Sequence, residues 1–407
     1  ILLLHSNYAK AASIIVFSDN EIESYVRQIS TPLLKSAGFD PNVVKFYLVE
    51  NPNPNAFVAG GQNVFVFSGL LSFINSDDEL AGVLAHELSH ITEGHLLQGA
   101  LLAQKSQTVI LVSLLIGTIV AALNPAYLGA VLATFTLAPT ISLYNANLFY
   151  SRADEMQADK HAVTILSATP YSGQGLVNFM KTLQKLEGNP NYIMSWYSTH
   201  PLTSTRIQFL QSYLKEVSNN KPCCNVSNSL LRIKVKLDAL NLSYKAFINK
   251  YSEINDINLY GLAIAELKNS NYIKATTIME SLVKKYPKDK YYIELLADIY
   301  YTSNQFNKAY TTYLKITDNR EDYVIDLKIA RSAYVIGTKN MLENSLKYVN
   351  ISLAKNNNSP LAWHLKSLVL TKFNKPYLAT LAMAQKYVAL GDIKTAKQYT
   401  QRALRGI

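Results

Sequence analysis

His86 and His90 lie four residues apart in the run His86-Glu87-Leu88-Ser89-His90, with Glu87 directly after the first histidine. On a helix, residues at this spacing project from one face, so both imidazoles can grip a single metal ion. Glu87 is placed to take a proton from an attacking water, the work of a general base in metal-assisted hydrolysis. The flanking residues predict the helix this needs. Ser76 followed three residues later by Glu79 makes a capping box. Asp77 and Asp78 suit the positive N-terminal end, and Gly94 is a stop. Leu80, Val83, Leu84, Leu88 and Ile91 form a stripe for burial.

A metal that activates water needs a third protein ligand and an open fourth position. Glu155 is the candidate, in the run Ser151-Arg152-Ala153-Asp154-Glu155-Met156-Gln157-Ala158-Asp159. Glu155 and Asp159 are again one helical turn apart. Glu155 is assigned to the metal, and Asp159 to the free ring nitrogen of a ligating histidine.

An HExxH box followed at a distance by SRxxExxAD resembles the zinc metallopeptidase family of the CAAX prenyl endopeptidases and HtpX. Asn55-Ala56-Phe57, Gly60-Gly61, Val64-Phe65-Val66 and Gly69-Leu70-Leu71 match the family's strand, glycine turn and helix start. His200-Pro201-Leu202-Thr203-Ser204-Thr205-Arg206 resembles its HPxxxxR segment. These motifs occur in the family's order over residues 40 to 210. With the repeats described below, the likeness is closest to the family's periplasmic BepA type. The resemblance implies Zn²⁺, one per chain, held by His86, His90 and Glu155, with Glu87 as base and Asp159 behind the ligands. It gives His200 two alternatives: stabilising the oxyanion of the tetrahedral intermediate, or taking the fourth zinc position and holding the enzyme idle. Arg206 is expected to steady the same negative charge or a substrate carboxylate. The segment Asn55 to Ala59, with Asn55, Ala56 and Phe57 as its named residues, is nominated as the strand that pairs with substrate backbone.

Around these residues, Glu21 to Ala37 has helical spacing and stops at Gly38, and Val43 to Val49 alternates as a strand. Ala56 to Ala59 and Val64 to Phe67 read as a hairpin around Gly60-Gly61-Gln62. Residues 106–151 carry no charged side chain, and Asn124-Pro125 divides them into two apolar halves. Each half is shorter than the roughly 20 residues of a membrane helix. A buried hairpin or lid, a hairpin dipping into a membrane, and true spans all remain open here.

From about residue 250 the chain becomes a helical repeat. Ala263 and Ala275, Ala297 and Ala309, and Ala384 and Ala396 are each twelve apart, and the first two pairs are offset by 34, the tetratricopeptide period. Tyr300, Tyr313, Tyr387, Gly391, Ala403 and Pro287 fall where that pattern wants aromatics, small residues and a closing proline. Ala330 with Gly337 marks a looser unit. Stacked units of this kind curve into a groove for extended peptides or protein surfaces.

The 407 residues carry a net charge of +10, unevenly spread: residues 1–200 sum to −5 and residues 201–407 to +15. A basic C-terminal half suits acidic proteins or anionic lipid. No nucleic-acid-binding motif accompanies it, so nucleic acid is excluded as a partner. Cys223 and Cys224 are adjacent, with Cα atoms about 3.8 Å apart, which predicts free thiols or an intermolecular bridge. Ile1-Leu2-Leu3-Leu4 leading to Ala9-Lys10-Ala11 reads as the remnant of a secretory signal.

The expected architecture is α+β. Residues 1–11 are the signal remnant. Residues 12–215 are a mostly helical, gluzincin-like zinc metallopeptidase domain with a small β-sheet. Residues 216–250 are a connecting segment, and residues 251–407 are an all-α TPR-like solenoid. The expected function is a periplasmic zinc endopeptidase degrading misfolded or misassembled outer-membrane proteins. Its partners are unfolded substrates, an assembly-machinery protein in the repeat groove, and membrane contact through residues 106–151. Two alternatives are an assembly chaperone with latent peptidase activity and a membrane-bound prenyl-protein endopeptidase. The signal-like start argues against the last.

Overall fold

The computed structural model describes residues 16–59, 62–95, 150–185, 200, 204–217, 221–316 and 323–405. The proposed signal remnant, the Gly60-Gly61 turn, Pro201 to Thr203 and residues 106–149 of the uncharged stretch lie outside this set. The described residues form two compact units that divide between Leu237 and Asp238.

The first unit opens with β1 (Val16–Phe17) and α1 (Asn20–Ser36), followed by β2 (Lys45–Val49), β3 (Ala56–Ala59) and β4 (Asn63–Phe67). Helix α1 ends as its residues require, with Gly38 at φ +78° just beyond it. The sheet order is β1-β2-β4-β3: β2 runs parallel to β4, while β1 and β3 are antiparallel to their neighbours. Strand β3 is therefore an edge. Period-two alternation sorts the strands' residues. Leu48, Ala56, Val58, Val64 and Val66 join the main core, and Phe57, Phe65 and Phe67 build an aromatic cluster apart from it.

Helix α2 (Ser68–Phe73) leads into α3 (Asp77–Thr92), which carries the HExxH box. Ser76 caps α3 by accepting from the Glu79 amide. Glu79 reaches back to the amide of Asn75 rather than Ser76. Asp77 and Asp78 do more than meet the helix dipole. Asp77 accepts from Tyr25 and Ser227, and Asp78 from the amides of Ser172, Cys224 and Asn225. The first turn of α3 is thereby tied to three distant stretches of chain.

Next come α4 (Arg152–Ser167), α5 (Gln174–Lys185), α6 (Ser204–Glu216) and α7 (Asn228–Asn241). Ser151 and Asp154 make a reciprocal capping box on α4. Helices α3 and α5 meet backbone to backbone. A Cβ on Gly82 would lie 2.7 Å from the Leu176 amide nitrogen, and one on Gly175 would lie 2.2 Å from the Asp78 carbonyl. Residues 216–250, read as a connecting segment, hold α7 and α8 (Tyr244–Lys250). Leu230, Ile233 and Leu237 of α7 belong to the first unit's core.

Cys223 and Cys224 are bonded to each other, which corrects the expectation of free thiols or an intermolecular bridge. Cys224 takes φ +75°, a left-handed turn that brings its side chain back to Cys223. The Asn178 amide faces both sulfurs, at 3.7 and 3.0 Å.

The second unit continues from α8 as antiparallel helices: α9 (Asp256–Lys268), α10 (Tyr272–Lys285), α11 (Lys290–Thr302), α12 (Phe306–Tyr313), α13 (Tyr323–Ile336), α14 (Lys339–Lys355), α15 (Pro360–Lys372), α16 (Pro376–Ala389) and α17 (Ile393–Leu404). The alanines chosen from their spacing are buried: Ala263, Ala275, Ala297 and Ala309 have no exposed surface, so paired helices approach closely. Left-handed residues turn the chain between helices: Ser270, Asn304, Gly337, Asn374 and Gly391. The fold is thus α+β in the first unit and a tetratricopeptide-like array in the second. Among the described residues, no helix is long and apolar enough to cross a membrane.

Candidate metal centre

Helix α3 presents His86, Glu87 and His90, and α4 presents Glu155 and Asp159 from facing turns. His200 and Arg206, the latter on α6, close the group, and all seven side chains are buried. One ligand atom from each of His86, His90, Glu155 and His200 lies within 4.8 Å of the others. His86 Nε2 is 3.1 Å from His90 Nε2, 3.4 Å from His200 Nδ1 and 3.4 Å from Glu155 Oε2. His90 Nε2 is 3.4 Å from Glu155 Oε1, and His200 Nδ1 is 3.0 Å from that oxygen. Four donors at tetrahedral positions about 2.0–2.1 Å from an ion stand about 3.3 Å apart. The donor set therefore fits a metal in both chemistry and spacing.

Behind the donors, His86 Nδ1 lies 3.0 Å from Asp159 Oδ1. Burial alone would lower the His86 pKa, but Glu155 and the Asp159 hydrogen bond hold it up, at about 10. Among the described residues no such carboxylate stands behind His90, and burial takes its pKa well below the usual histidine value. Burial would raise Glu155 and Asp159, yet both are held low. His200, Arg206 and His86 do this for Glu155, and Arg206 and His86 for Asp159.

Arg206 differs from its sequence reading. Its Nε and one terminal nitrogen donate to the two Asp159 oxygens at 2.7 and 2.8 Å, and the other terminal nitrogen is 2.5 Å from Glu155 Oε2. An arginine fork committed to two buried carboxylates fixes both of them in place. It is not aimed at an oxyanion or a substrate carboxylate.

Glu87 is fully buried, and among the described residues neither carboxylate oxygen has a hydrogen-bond partner of good geometry. His200 Nε2 lies 3.3 Å from Glu87 Oε1. Burial raises the pKa of Glu87, opposed by the charges of His200 and His86 and by the Val58 backbone. A carboxylate pushed toward neutrality beside a metal-ligand cluster suits a group that exchanges protons.

The nominated strand is only partly turned toward the site. The Phe67 amide donates to the Asn55 carbonyl, so Asn55 and Phe57 direct their backbone groups to β4. Ala56 and Val58 turn theirs outward, and Val58 reaches Glu87. Sequence reasoning included Val58 in the nominated segment but not among its named residues, read His95 as structural only, and missed Tyr150. The Tyr150 ring lies flat on His90, with centroids 3.6 Å apart. His95 Nδ1 is 3.0 Å from His90 Nδ1. The available signals were that Tyr150 directly precedes the Ser151-Arg152 motif and that His95 follows the helix-ending Gly94.

Fold and site together define a metallopeptidase: residues 20–214 match Peptidase family M48, and this part of the chain is a domain of that family. The chain is similar, through both units, to the beta-barrel assembly-enhancing protease of Escherichia coli K12. The two are 23% identical over 395 residues, covering 94% of this chain and 78% of that protein. The mitochondrial metalloendopeptidase OMA1 of Schizosaccharomyces pombe is 28% identical over 192 residues, covering 47% of this chain and 53% of its own. Among solved structures, MamA is similar to 42% of this chain at 14% identity, with a TM-score of 0.33. The protein is a metalloendopeptidase with a helical-repeat unit.

Proposed function

We propose that this protein is a zinc-dependent endopeptidase of the periplasm that degrades misfolded or misassembled outer-membrane proteins, with the helical repeats engaging a protein of the assembly machinery. The observation that carries the chemistry is the convergence of four buried ligand atoms within 4.8 Å, with the Glu87 carboxylate beside them. Support for the setting is the likeness to the E. coli relative, which runs through both units.

His86, His90 and Glu155 would hold Zn²⁺, which when bound acts as a Lewis acid toward water and the scissile carbonyl. Glu87 takes the proton of the attacking water and hands it to the leaving amine. Asp159 orients His86 through Nδ1, and Arg206 locks Asp159 and Glu155 in place. The outward backbone of Ala56 and Val58 lines up an extended substrate, so recognition depends little on substrate side chains.

His200 supports a second reading, a peptidase held shut. Its Nδ1 stands among the ligand atoms rather than at their margin. As a fourth ligand it would fill the place that water and substrate need. The repeats would then dominate the resting protein's role, that of an assembly chaperone with latent activity. Metal analysis and cleavage of an unfolded test protein separate these readings. Parent protein with one zinc and measurable cleavage supports the endopeptidase. Zinc retained, with cleavage appearing only when His200 is replaced by a non-ligand, supports the latch. A parent that binds no zinc, or that keeps its zinc after His86→Ala, would sink both.

A further inference from the structure

His86 and His90 are held by different means. His86 has a carboxylate behind it, whereas the far nitrogen of His90 faces another imidazole, His95 Nδ1, at 3.0 Å. Gly94 makes this meeting possible: at φ +66° it turns the chain back as α3 ends and folds His95 against the helix's last turn. His95 is buried, and among the described residues its Nε2 has no hydrogen-bond partner, with Asp154 Oδ1 3.9 Å away. Tyr150 adds a second restraint. Its ring is stacked on His90 at 3.6 Å and 17°, which fixes the plane in which the imidazole can lie.

We propose that His95 is the positioning residue of the metal ligand His90: its Nδ1 accepts the Nδ1–H of His90, fixing the tautomer that leaves His90 Nε2 bare for the metal. This rests on the zinc reading above. A short bond between two nitrogens requires that one carry the proton and the other not. If His90 is to ligate through the Nε2 that meets His86, Glu155 and His200, the proton belongs on His90 Nδ1. His95 is then protonated at Nε2 toward Asp154. A neutral imidazole is a weaker acceptor than the Asp159 carboxylate, so His90 is the more loosely supported ligand of the pair.

The test compares His95→Leu with His95→Asn in the full chain. Zinc affinity is read by competition with a chromophoric chelator, and the visible spectrum of the cobalt-substituted protein is recorded beside it. Leucine keeps the bulk and loses the acceptor, whereas the asparagine oxygen reaches the place of Nδ1. His95→Leu should bind zinc about 10–100-fold more weakly and alter the cobalt bands, the range typical for losing an outer partner of a metal-bound histidine. His95→Asn should recover most of the affinity and the parental bands. A folded His95→Leu protein with parental affinity would overturn the proposal. So would a folded His95→Asn protein that loses as much as the leucine variant, and this arm decides the matter if His95→Leu does not fold. A parent protein without zinc would instead overturn the zinc reading itself.

Discussion

The two units use buried charge differently. In the first, two histidines of α3, two carboxylates of α4, His200 and Arg206 are packed into one place, each within about hydrogen-bond reach of the next. In the second, charged and polar groups bridge helices in small clusters and pairs spread along the array. Lys328 of α13 binds Glu294 and Asp298 of α11, Tyr313 of α12 donates to Asp298, and Lys355 of α14 binds Asp326 of α13. The contrast shows what each arrangement is for. Concentrated buried charges cost folding energy that a stacked array has no reason to bear, and a metal is what reconciles four donors at one point. Dispersed pairs set helix register, and their loss is local.

The comparison breaks most severely at Glu87, where chemistry rather than stability is at stake. Glu87→Gln should retain zinc and lose cleavage of an unfolded protein by about 10²–10⁴-fold, because the amide cannot accept a proton. Parental turnover in that variant would mean another group is the base. Next comes Arg206→Met, which leaves Asp159 and Glu155 buried without their cation. It should destabilise the first unit by about 3–5 kcal/mol and release zinc, read by thermal unfolding and metal content. A variant that melts and binds zinc like the parent would show that the carboxylates need no partner.

Smaller effects belong to the second unit. Ala297 has no exposed surface. Ala297→Leu should overpack the α11 contacts and cost that unit about 1–3 kcal/mol, leaving zinc affinity unchanged. A drop in zinc affinity alongside the melt would erase the distinction between the units. The smallest change is expected for Lys250→Met, which removes a largely exposed partner of Asp238 at 2.6 Å. Denaturant unfolding should shift by less than about 1 kcal/mol. A larger shift would mean that this pair matters as much as the buried ones.

The residues themselves announced a good deal of this. Spacing of four placed His86 with His90 and Glu155 with Asp159 on shared helix faces; both helices appear, α3 with Ser76 at its N-cap as the sequence signalled. Alanines twelve and 34 apart marked the repeats, since only a small side chain lets paired helices close up. Other features had no local signal. Arg206 looked like an anion binder because an arginine beside a His-Pro segment says nothing about which carboxylates lie across the fold. Cys223 and Cys224 read as free thiols or an intermolecular bridge because spacing carries no φ angle; the structure bonds them to each other, with Cys224 in a left-handed conformation.

Periodicity and capping are properties of a few neighbouring residues, so the sequence by itself determined the helices, the edge hairpin, the metal-binding residue types and the repeat. Convergence is a property of chain paths that meet from far apart. Only the tertiary structure decided that His200 stands among the ligand atoms, that Arg206 grips Asp159 and Glu155, that Val58 rather than Phe57 faces Glu87, and that Tyr150 and His95 hold His90. The physical reason is that a donor's partner is set by distance in space, and 114 residues of chain separate His86 from the His200 nitrogen beside it.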